Sequence, residues 1–425
     1  MTNAEATDLL AELQWRGLIK QHTDLDELRK AFAEGPVTFY CGYDPTAPSL
    51  HHGHLVQLVL MRHLQLAGHK PLALVGGGTG LIGDPREVGE RSLNSAEVVE
   101  AWAQKLRGQI ENFLDFDGEN PARMVNNYEW IGTMSAIELL RDVGKYFRVG
   151  TMISKDVVAR RLASDEGISY TEFSYQILQA NDFLELNRRY GCTLQTGGND
   201  QWGNLVAGAD LIRKSDGKTA HVLTTPIITK ADGTKFGKTS GGAIWLDPKM
   251  MSPYDFYQFW LQTDDADVVK MLKVFTFLDR DRIEELARET EEKPYLRQAQ
   301  KALAAEVTKM VHGTEAYEQA LLATQAFWGS GDLREVDADT MRAASAHLPT
   351  GEVKFGEATI VDAVLATGLE TGRQAALRTA KQGGLYLNNQ KVTDPDLVLT
   401  ESDLLPGDIA LIRKGKKTLA AVKPE

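Results

Sequence analysis

Residues 39–55 read Phe-Tyr-Cys-Gly-Tyr-Asp-Pro-Thr-Ala-Pro-Ser-Leu-His-His-Gly-His-Leu, and this stretch decides the fold. Its start predicts a short buried strand that ends near Tyr40, its two prolines predict a turn, and the apolar spacing from Leu55 onward predicts a helix. That helix would begin at histidines and at Gly53, directly after a strand end. Free backbone N–H groups and the positive end of the helix dipole favour an anion there. We interpret the stretch as part of a nucleotide phosphate site.

The same alternation of strand and helix continues along the first half of the chain. Further apolar strands are predicted at 71–75, 124–126, 194–196 and 222–224, with helical stretches between them. This alternation predicts an α/β fold with a Rossmann-like open, mainly parallel sheet over residues 1–224, carrying a helical insertion at about 115–190.

The second half of the chain predicts four further parts. Residues 225–246 are rich in Thr, Gly and Lys and predict a mobile loop, and residues 247–343 predict an all-α domain. Pro and Gly in 344–356 predict a linker. Residues 357–425 predict a small α+β domain with Asn388-Asn389 at the turn of a hairpin.

Composition restricts the class of protein and of partner. The chain has 425 residues, a net charge of −12 and no apolar run as long as a membrane span, so we expect a globular protein with no membrane partner. Residues 352–425 hold ten Lys or Arg against ten Asp or Glu, with a basic cluster at 413–417. This balance favours site-specific binding to an RNA partner over non-specific coating of DNA or RNA. Two cysteines are too few for a disulfide framework and predict a cytoplasmic protein.

A glycine motif and a histidine motif each suggest a ligand that we do not favour. The run at 78–83, Gly-Thr-Gly-Leu-Ile-Gly, matches the dinucleotide-binding pattern, but Asp84-Pro85 follows at once and disfavours the helix that an NAD site requires. Asp84 would instead offer a carboxylate to an ammonium group or a cation. His-His-Gly-His at 51–54 could bind zinc, but apart from Asp44 no suitable ligand lies nearby in sequence, and histidines at a helix end are the simpler interpretation.

Lysines of the predicted mobile loop are candidates for phosphate binding. Residues 235–239, Lys-Phe-Gly-Lys-Thr, place two ammonium groups three residues apart around a glycine, and this spacing can close on a polyphosphate. An isolated pair of this kind is usually a solvated surface feature. Together with the histidine motif at an early strand end, it predicts that both motifs meet over one nucleotide.

Two further groups of polar residues suit a small ligand. Tyr175, Gln179 and Asp182 recur at i, i+4 and i+7, which places them on one face of a helix beside apolar residues. Without further context, a polar stripe at the boundary of the helix is an equal interpretation. Asp200 follows a strand and could cap the next helix or accept ribose hydroxyl protons, with Gln201 donating to a carbonyl oxygen.

Taken together, these motifs resemble one family. Residues 51–54 and 235–239 resemble the two motifs of class I aminoacyl-tRNA synthetases, and the surrounding sequence resembles bacterial tyrosyl-tRNA synthetases along essentially the whole chain. The segments that carry the resemblance are 40–46, 83–85, 126–130, 175–182 and 197–204. The last part, with Gln-Gly-Gly-Leu-Tyr-Leu-Asn-Asn at 382–389, is similar to an RNA-binding domain known from a small-subunit ribosomal protein. Alternatives are a tryptophanyl-tRNA synthetase, a catalytically silent RNA-binding relative and a nucleotidylyltransferase.

The resemblance implies a two-step reaction, in which tyrosine and ATP form tyrosyl-adenylate and the tyrosyl group then moves to tRNA(Tyr). It also implies Mg²⁺ travelling with ATP and no protein-bound metal, a homodimer formed through the helical insertion, and an anticodon-side role for 247–343. The residues that it implies for tyrosine are Tyr40, Asp84, Tyr175, Gln179, Asp182 and Gln201. For ATP they are Cys41, Gly42, Asp44, Gly53, Asp200 and Lys238, and for catalysis Thr46, His51, His54, Lys235, Lys238 and Thr239.

One segment departs from the family pattern. Many bacterial relatives carry Gly-Asp-Pro-Ser-x-Lys before a downstream arginine, whereas this chain reads Gly-Asp-Pro-Arg-Glu-Val-Gly-Glu-Arg at 83–91, one residue shorter and without the lysine. Arg91 matches the downstream arginine. We hypothesise that Arg86 supplies the charge of the missing lysine, so that Arg86 and Arg91 both contact the pyrophosphate.

Overall fold

The structure, a computed structural model, describes residues 3–86, 89, 92–234, 236–237, 242–329 and 331–425. The chain divides into two compact units, one made of Met1–Met250 with Asp264–Ala299 and the other of Met251–Thr263 with Gln300–Glu425. Among the described residues, no helix has both the length and the apolar character to cross a membrane.

The first unit is built on a parallel sheet. Its strands are β1 (Thr38–Tyr43), β2 (Lys70–Val75), β3 (Arg123–Asn126), β4 (Cys192–Gly198) and β5 (His221–Thr225). They lie in the order β3-β2-β1-β4-β5, and every neighbouring pair is parallel. Strands β2 and β5 are buried at almost every residue, because a parallel sheet is covered on both faces. The predicted open α/β sheet is therefore confirmed. The predicted bounds of the helical insertion, 115–190, are too wide at their start, because they include β3, which belongs to the sheet.

The helices follow the strands in the predicted alternation. In chain order they are α1 (Asn3–Trp15), α2 (Leu25–Glu34), α3 (His52–Leu66), α4 (Ala96–Glu111), α5 (Tyr128–Ile131), α6 (Ala136–Glu138), α7 (Val149–Ile153), α8 (Asp156–Leu162), α9 (Tyr170–Tyr190), α10 (Trp202–Asp216), α11 (Pro253–Leu261), α12 (Asp265–Phe275), α13 (Arg280–Glu292), α14 (Gln298–His312), α15 (Thr314–Ala326), α16 (Ala338–Ser345), α17 (Ile360–Ala366) and α18 (Arg373–Lys381).

The histidine motif itself defines the start of α3. His51 is the N-cap residue, and its Nδ1 accepts a hydrogen bond of 3.0 Å from the backbone N–H of Gly53. In return, His54 Nδ1 accepts a bond of 3.2 Å from the backbone N–H of His51. This reciprocal capping satisfies N–H groups that have no partner within a helix. The prediction that the histidines stand at a helix start is confirmed.

The order of the strands reverses between β1 and β4. Strands β2 and β3 lie on one side of β1, whereas β4 and β5 lie on the other. Such a switch point leaves a crevice at the carboxyl ends of the two central strands. Helix α9 packs against this part of the sheet, since the rings of Tyr40 on β1 and Phe183 on α9 have centroids 5.2 Å apart. The fold therefore brings the ends of β1 and β4 and one face of α9 together.

The second unit combines helices with a mixed sheet. Its strands are β6 (Thr350–Val353), β7 (Leu385–Leu387), β8 (Gln390–Val392), β9 (Ala410–Lys414) and β10 (Thr418–Pro424), in the order β6-β10-β9-β7-β8. Strand β6 is parallel to β10, and the other neighbours are antiparallel. Asn388 and Asn389 join β7 to β8 with φ angles of 48° and 66°, as a type I′ turn requires. The predicted hairpin is confirmed.

The structure corrects the predicted linker at 344–356. These residues contain β6, which pairs with β10 across about seventy residues of sequence. Local Pro and Gly content indicated a linker because a pairing with so distant a strand leaves no local signal. The predicted all-α and α+β parts are also not separate here: Leu411 and Leu419 share a hydrophobic core with Phe327 and Met341, whereas the alternate residues of β9 and β10 face α17 and α18. In addition, 264–299 belongs to the first unit.

Candidate active site

A cavity of about 410 Å³ opens at the switch point between β1 and β4. Most of the residues that the sequence predicted for tyrosine, ATP and catalysis line it together. From β1 and the turn to α3 come Tyr40, Cys41, Gly42, Asp44, Thr46, His51, Gly53 and His54; from the loop after β2 comes Asp84; from α9 come Tyr175, Gln179 and Asp182; and from the turn after β4 come Asp200 and Gln201. The structure thus gathers residues as far apart in sequence as Tyr40 and Gln201.

Some predicted residues are not placed in this cavity. Lys235, Lys238 and Thr239 of the loop, and Arg91, lie outside the described residues. Arg86 is exposed and does not line the cavity; its carbonyl oxygen accepts a hydrogen bond of 3.2 Å from Arg161 Nη1.

Tyr40 and Asp182 are both buried and both line the cavity, close enough for the charge of Asp182 to act on the Tyr40 phenol and raise its pKa, after burial. Asp182 Oδ1 accepts a bond of 2.8 Å from Trp130 Nε1, and Oδ2 accepts one of 2.9 Å from Asn127 Nδ2. Burial raises the pKa of Asp182 to about 8, against the lowering effect of these two bonds. Tyr40 Oη is buried and has no hydrogen-bond partner within the described part of the chain. A hydroxyl group of a ligand would supply the missing partner.

Asp44 forms the centre of the next part of the wall. Tyr175 Oη donates to Asp44 Oδ2 at 2.7 Å, and Thr79 Oγ1 donates to Asp44 Oδ1 at 2.6 Å. A Cβ atom at Gly76 would overlap this carboxylate, so the backbone can approach it only with glycine at that position. Burial, followed by the charges of Asp44 and Asp84, raises the pKa of Tyr175 well above its usual value, and the phenol stays a donor.

Asp84 belongs to a hydrogen-bonded network with the turn after β4. Gln201 Nε2 donates to Asp84 Oδ2 at 2.8 Å, and Asn204 Nδ2 donates to Oδ1 at 3.1 Å. Lys155 Nζ donates to Asn204 Oδ1 at 2.5 Å. Burial lowers the pKa of Lys155 to about 7, while the charge of Asp84 opposes that shift. Asp200 does not cap α10, since the N-cap residue of that helix is Gln201.

The histidines at the start of α3 are neutral groups. Burial lowers the pKa of His54 well below its usual value and also lowers the pKa of His51, so both rings carry no charge at pH 7. Because each Nδ1 accepts a backbone N–H, each neutral ring carries its proton on Nε2 and can donate a hydrogen bond from that atom. No cluster of three or more metal-ligating side chains occurs in the described ranges.

Sequence reasoning missed several residues that complete the cavity. Thr79, Gln57 and Gln195 line it, and Asn127 and Trp130 hold Asp182 from behind. The Oε1 atoms of Gln179 and Gln195 are buried with no hydrogen-bond partner among the residues described, and both residues line the cavity. Asn127 and Trp130 follow the end of β3. Their position after a strand end was the sequence feature that could have indicated a role in the site.

Comparisons with known proteins agree with this arrangement. A family model described as tRNA synthetases class I (W and Y) matches residues 33–329, and one described as a tyrosine–tRNA ligase SYY-like C-terminal domain matches residues 340–422. The tyrosine–tRNA ligase of Streptomyces coelicolor is 58% identical over 419 residues, covering 98% of this chain and 99% of that protein. The chain belongs to the class I tyrosyl-tRNA synthetases. The tyrosine–tRNA ligase of Corynebacterium efficiens is a further member, with 53% identity and coverage of 98% and 99%.

Solved structures of tyrosyl-tRNA synthetases share the fold. A C-terminally truncated mitochondrial enzyme of Aspergillus nidulans gives a TM-score of 0.68 at 30% identity, covering 76% of this chain and 97% of that one. The tyrosyl-tRNA synthetase of Archaeoglobus fulgidus, complexed with L-tyrosine, gives 0.55 at 18% identity, covering 74% and 99%, and supports the fold alone.

Proposed function

We propose that this chain is a tyrosine–tRNA ligase, which joins L-tyrosine to ATP and then passes the tyrosyl group to tRNA(Tyr). The observation that carries the proposal is the buried pair of Tyr40 Oη and the Asp182 carboxyl group. A phenolic hydroxyl can donate to Asp182 and accept from Tyr40. A phenylalanine ring would leave the Tyr40 hydroxyl unsatisfied, at a cost of about 1–3 kcal/mol. It would also bring no donor to the Asp182 carboxyl group, whose oxygens accept only from Trp130 and Asn127 among the described residues.

The other end of the tyrosine would lie against polar groups that face the same cavity. Asp84, Tyr175 and Gln179 would hold its ammonium group, and Gln201 would lie near its carboxylate. The buried Gln179 Oε1, which has no partner among the described residues, can accept an N–H from the ammonium. The Asp84 carboxylate is oriented by Gln201 and Asn204, so its charge is in place before the substrate arrives.

The nucleotide would occupy the space between the ends of β1 and β4. Cys41, Gly42, Asp44, Gly53 and Asp200 would contact the adenosine and its ribose, as residues that line that part of the cavity. At Gly53 a Cβ would lie 2.9 Å from His51 Cε1, so glycine keeps the helix start accessible to a ligand. ATP would enter as its Mg²⁺ complex.

The first reaction step requires positioning and charge stabilisation. A carboxylate oxygen of tyrosine attacks the α-phosphorus of ATP, the bond to the pyrophosphate breaks, and the pyrophosphate leaves with the bonding electrons. A carboxylate is already a nucleophile, so no side chain has to remove a proton. The groups proposed to stabilise the growing charge on the pyrophosphate are Thr46, His51, His54, Lys235, Lys238 and Thr239. In the second step a ribose hydroxyl at the 3′ end of tRNA attacks the tyrosyl carbonyl carbon, the bond from that carbon to the phosphate oxygen breaks, and AMP leaves with the bonding electrons while the hydroxyl proton is released.

We also propose a homodimer formed through the helical region between β3 and β4. The side chains of Ile137, Leu140, Val149 and Tyr170 there are all more than half exposed. Exposed apolar groups at such density mark a protein interface rather than a free surface. The basic cluster at 413–417 supports binding of tRNA by the second unit, and a role in aminoacylation supports a cytoplasmic location.

One exchange assay tests the proposed activity. We expect labelled pyrophosphate to exchange into ATP when tyrosine is present, and tryptophan or phenylalanine to support far slower exchange because neither places a hydroxyl between Tyr40 and Asp182. Exchange with tryptophan alone would favour the other amino acid of this family. If none of the amino acids supported exchange, the ligase activity would be ruled out, and a catalytically silent RNA-binding relative would remain.

Replacing Arg86 with alanine tests its hypothesised role on the pyrophosphate. We expect adenylate formation to slow about three- to tenfold, as for the loss of one exposed charge-assisted contact of ~1 kcal/mol, with KM for tyrosine unchanged. Pre-steady-state measurement of adenylate formation is the readout. Arg107→Ala, at an exposed arginine on α4, is the control. An unchanged rate in Arg86→Ala would remove Arg86 from the mechanism.

A further inference from the structure

His52, the second histidine of the motif, has no part in the mechanism proposed above. Its Nε2 lies 3.0 Å from the carbonyl oxygen of Phe236, 184 residues later in the chain. The two rings also meet edge to face, with centroids 6.0 Å apart and planes at 72°. The first motif of the family therefore touches the second through a side chain that sequence reasoning left unassigned.

The chemistry of this contact defines which atom donates. A carbonyl oxygen can only accept, so Nε2 carries the proton. His52 Nδ1 is buried and has no hydrogen-bond partner within the described ranges, which fits a ring protonated on Nε2 alone. Burial, and the neighbouring His51, lower the pKa of His52 to about 4, so the ring is neutral at pH 7.

Gly237 is shaped to the same imidazole ring. Its φ angle is +79°, a conformation that favours glycine, and a Cβ atom there would overlap His52 Cε1 and Nε2. The ring thus lies directly against the backbone of Gly237 while it binds the carbonyl group of the preceding residue. The peptide between Phe236 and Gly237 is seated on His52 by shape as well as by a hydrogen bond.

The start of the segment that contains this peptide is anchored without the His52 side chain. Asp267 Oδ1 accepts from the backbone N–H of Ala231 at 2.7 Å, and Lys270 Nζ donates to the carbonyl oxygen of Thr229 at 2.7 Å. Phe236 N donates to Ile228 O at 3.0 Å. These bonds hold the start of the segment, near residues 228–231, against the first unit.

The end of the segment is also anchored through the backbone of His52. His52 N donates to Ile244 O at 2.9 Å, so this one residue bonds the end of the segment through its main chain and the middle through its side chain. A second cavity, of about 240 Å³, lies beside Phe236 and shares His51, Gly53 and Asp200 with the main one. The contact with His52 therefore borders the proposed nucleotide site.

We propose that His52 is a positioning residue, which holds the Phe236–Gly237 peptide and thereby restricts where the adjoining Lys235 and Lys238 can reach. Lys235 is bonded to Phe236 and Lys238 to Gly237, so a restrained peptide limits the conformations of both lysines. Fewer conformations lower the entropy lost when the ammonium groups meet a pyrophosphate. The inference rests on the proposed function, because that function gives the lysines their ligand.

Three substitutions at one position test the proposal. Gln carries its Nε2 the same number of bonds from Cα as histidine does, so His52→Gln can donate to Phe236, whereas His52→Asn ends one bond too short and His52→Leu has no donor. We expect Leu and Asn to slow adenylate formation at saturating substrates about three- to tenfold, and Gln to restore most of the rate. KM for tyrosine should not change. Equal rates in all three variants, or Gln no better than Leu, would overturn the proposal.

A readout without catalysis separates this proposal from the proposed function. Trypsin cleaves after lysine, and we expect faster cleavage after Lys235 and Lys238 in His52→Leu and His52→Asn than in the unaltered chain and His52→Gln. If the unaltered chain made no adenylate, the proposed ligase activity would be contradicted. The cleavage rates would still show whether His52 restrains the segment. Cleavage at one rate in all four proteins would overturn the restraint.

Discussion

Replacing Asp182 with asparagine should lower kcat/KM for tyrosine by about 10- to 150-fold, the effect of leaving the buried hydroxyl of the substrate without its acceptor at a cost of about 1.5–3 kcal/mol. Both carboxylate oxygens accept bonds from buried donors, Trp130 and Asn127. An amide in that place would turn its NH₂ group toward one of these donors, and it would offer the tyrosine hydroxyl no carboxylate. Amino-acid-dependent pyrophosphate exchange measures the change.

Phenylalanine provides the internal comparison for Asp182→Asn. Because phenylalanine has no hydroxyl, the substitution should lower kcat/KM for phenylalanine much less than kcat/KM for tyrosine. The ratio of the two values should therefore decrease. Tyr40→Phe is the matched variant, because it removes one hydroxyl and leaves the carboxyl group in place; we expect a smaller loss, about fivefold or ~1 kcal/mol. An equal fall for tyrosine and phenylalanine in Asp182→Asn would show that this side chain supports the fold rather than substrate choice.

Replacing Arg161 with methionine should lower the free energy of unfolding of the first unit by about 3–5 kcal/mol, as expected when one partner of a buried ion pair is removed. Arg161 Nη1 lies 3.0 Å from Glu172 Oε2, and both side chains are only 2% exposed. The guanidinium also donates to the carbonyl oxygens of Gly167 at 2.9 Å and Gly89 at 2.7 Å. Methionine fills similar volume but offers no donor. Urea unfolding followed by circular dichroism gives the difference.

An exposed ion pair in the same unit is the control for Arg161→Met. Arg107 and Glu111 lie 2.9 Å apart with side chains 54% and 43% exposed, so Arg107→Met should change the unfolding free energy by less than about 1 kcal/mol. The double variant Arg161→Met, Glu172→Gln should recover part of the loss, because it removes the buried negative charge as well. Similar losses in Arg161→Met and Arg107→Met would contradict the assignment of Arg161 as a buried structural cation.

Short-range patterns predicted much of the fold and of the cavity. The strand at β1, the helix start at His51 and the shared face of Tyr175, Gln179 and Asp182 each depend on residues within about ten positions of one another. Periodicity and capping preferences act over that distance. The grouping of these residues in one cavity followed from the rule that parallel strands bind ligands at their carboxyl ends, and from a resemblance to a known family.

Contacts between distant segments lay beyond that reasoning. Asn127 and Trp130 hold Asp182, more than fifty residues later, and no local pattern indicates that pairing. The strand β6 was interpreted as a linker because its partner β10 follows about seventy residues later. A strand is stabilised by its neighbours in the sheet, so its own composition can mislead.

The stretch at 39–55 shows the same difference between local features, which the sequence predicts, and long-range contacts, which it does not. By itself the sequence determined that a strand includes Tyr40, that a turn follows, and that a helix begins at the histidines, because backbone preferences and capping are local properties. The strand end was predicted too early, since β1 continues to Tyr43. Only the tertiary structure decided what each side chain contacts. It left the Tyr40 hydroxyl buried beside Asp182, turned His51 and His54 into reciprocal caps with lowered pKa values, and placed His52 against Phe236. Burial and long-range packing set those roles, and both depend on the whole chain.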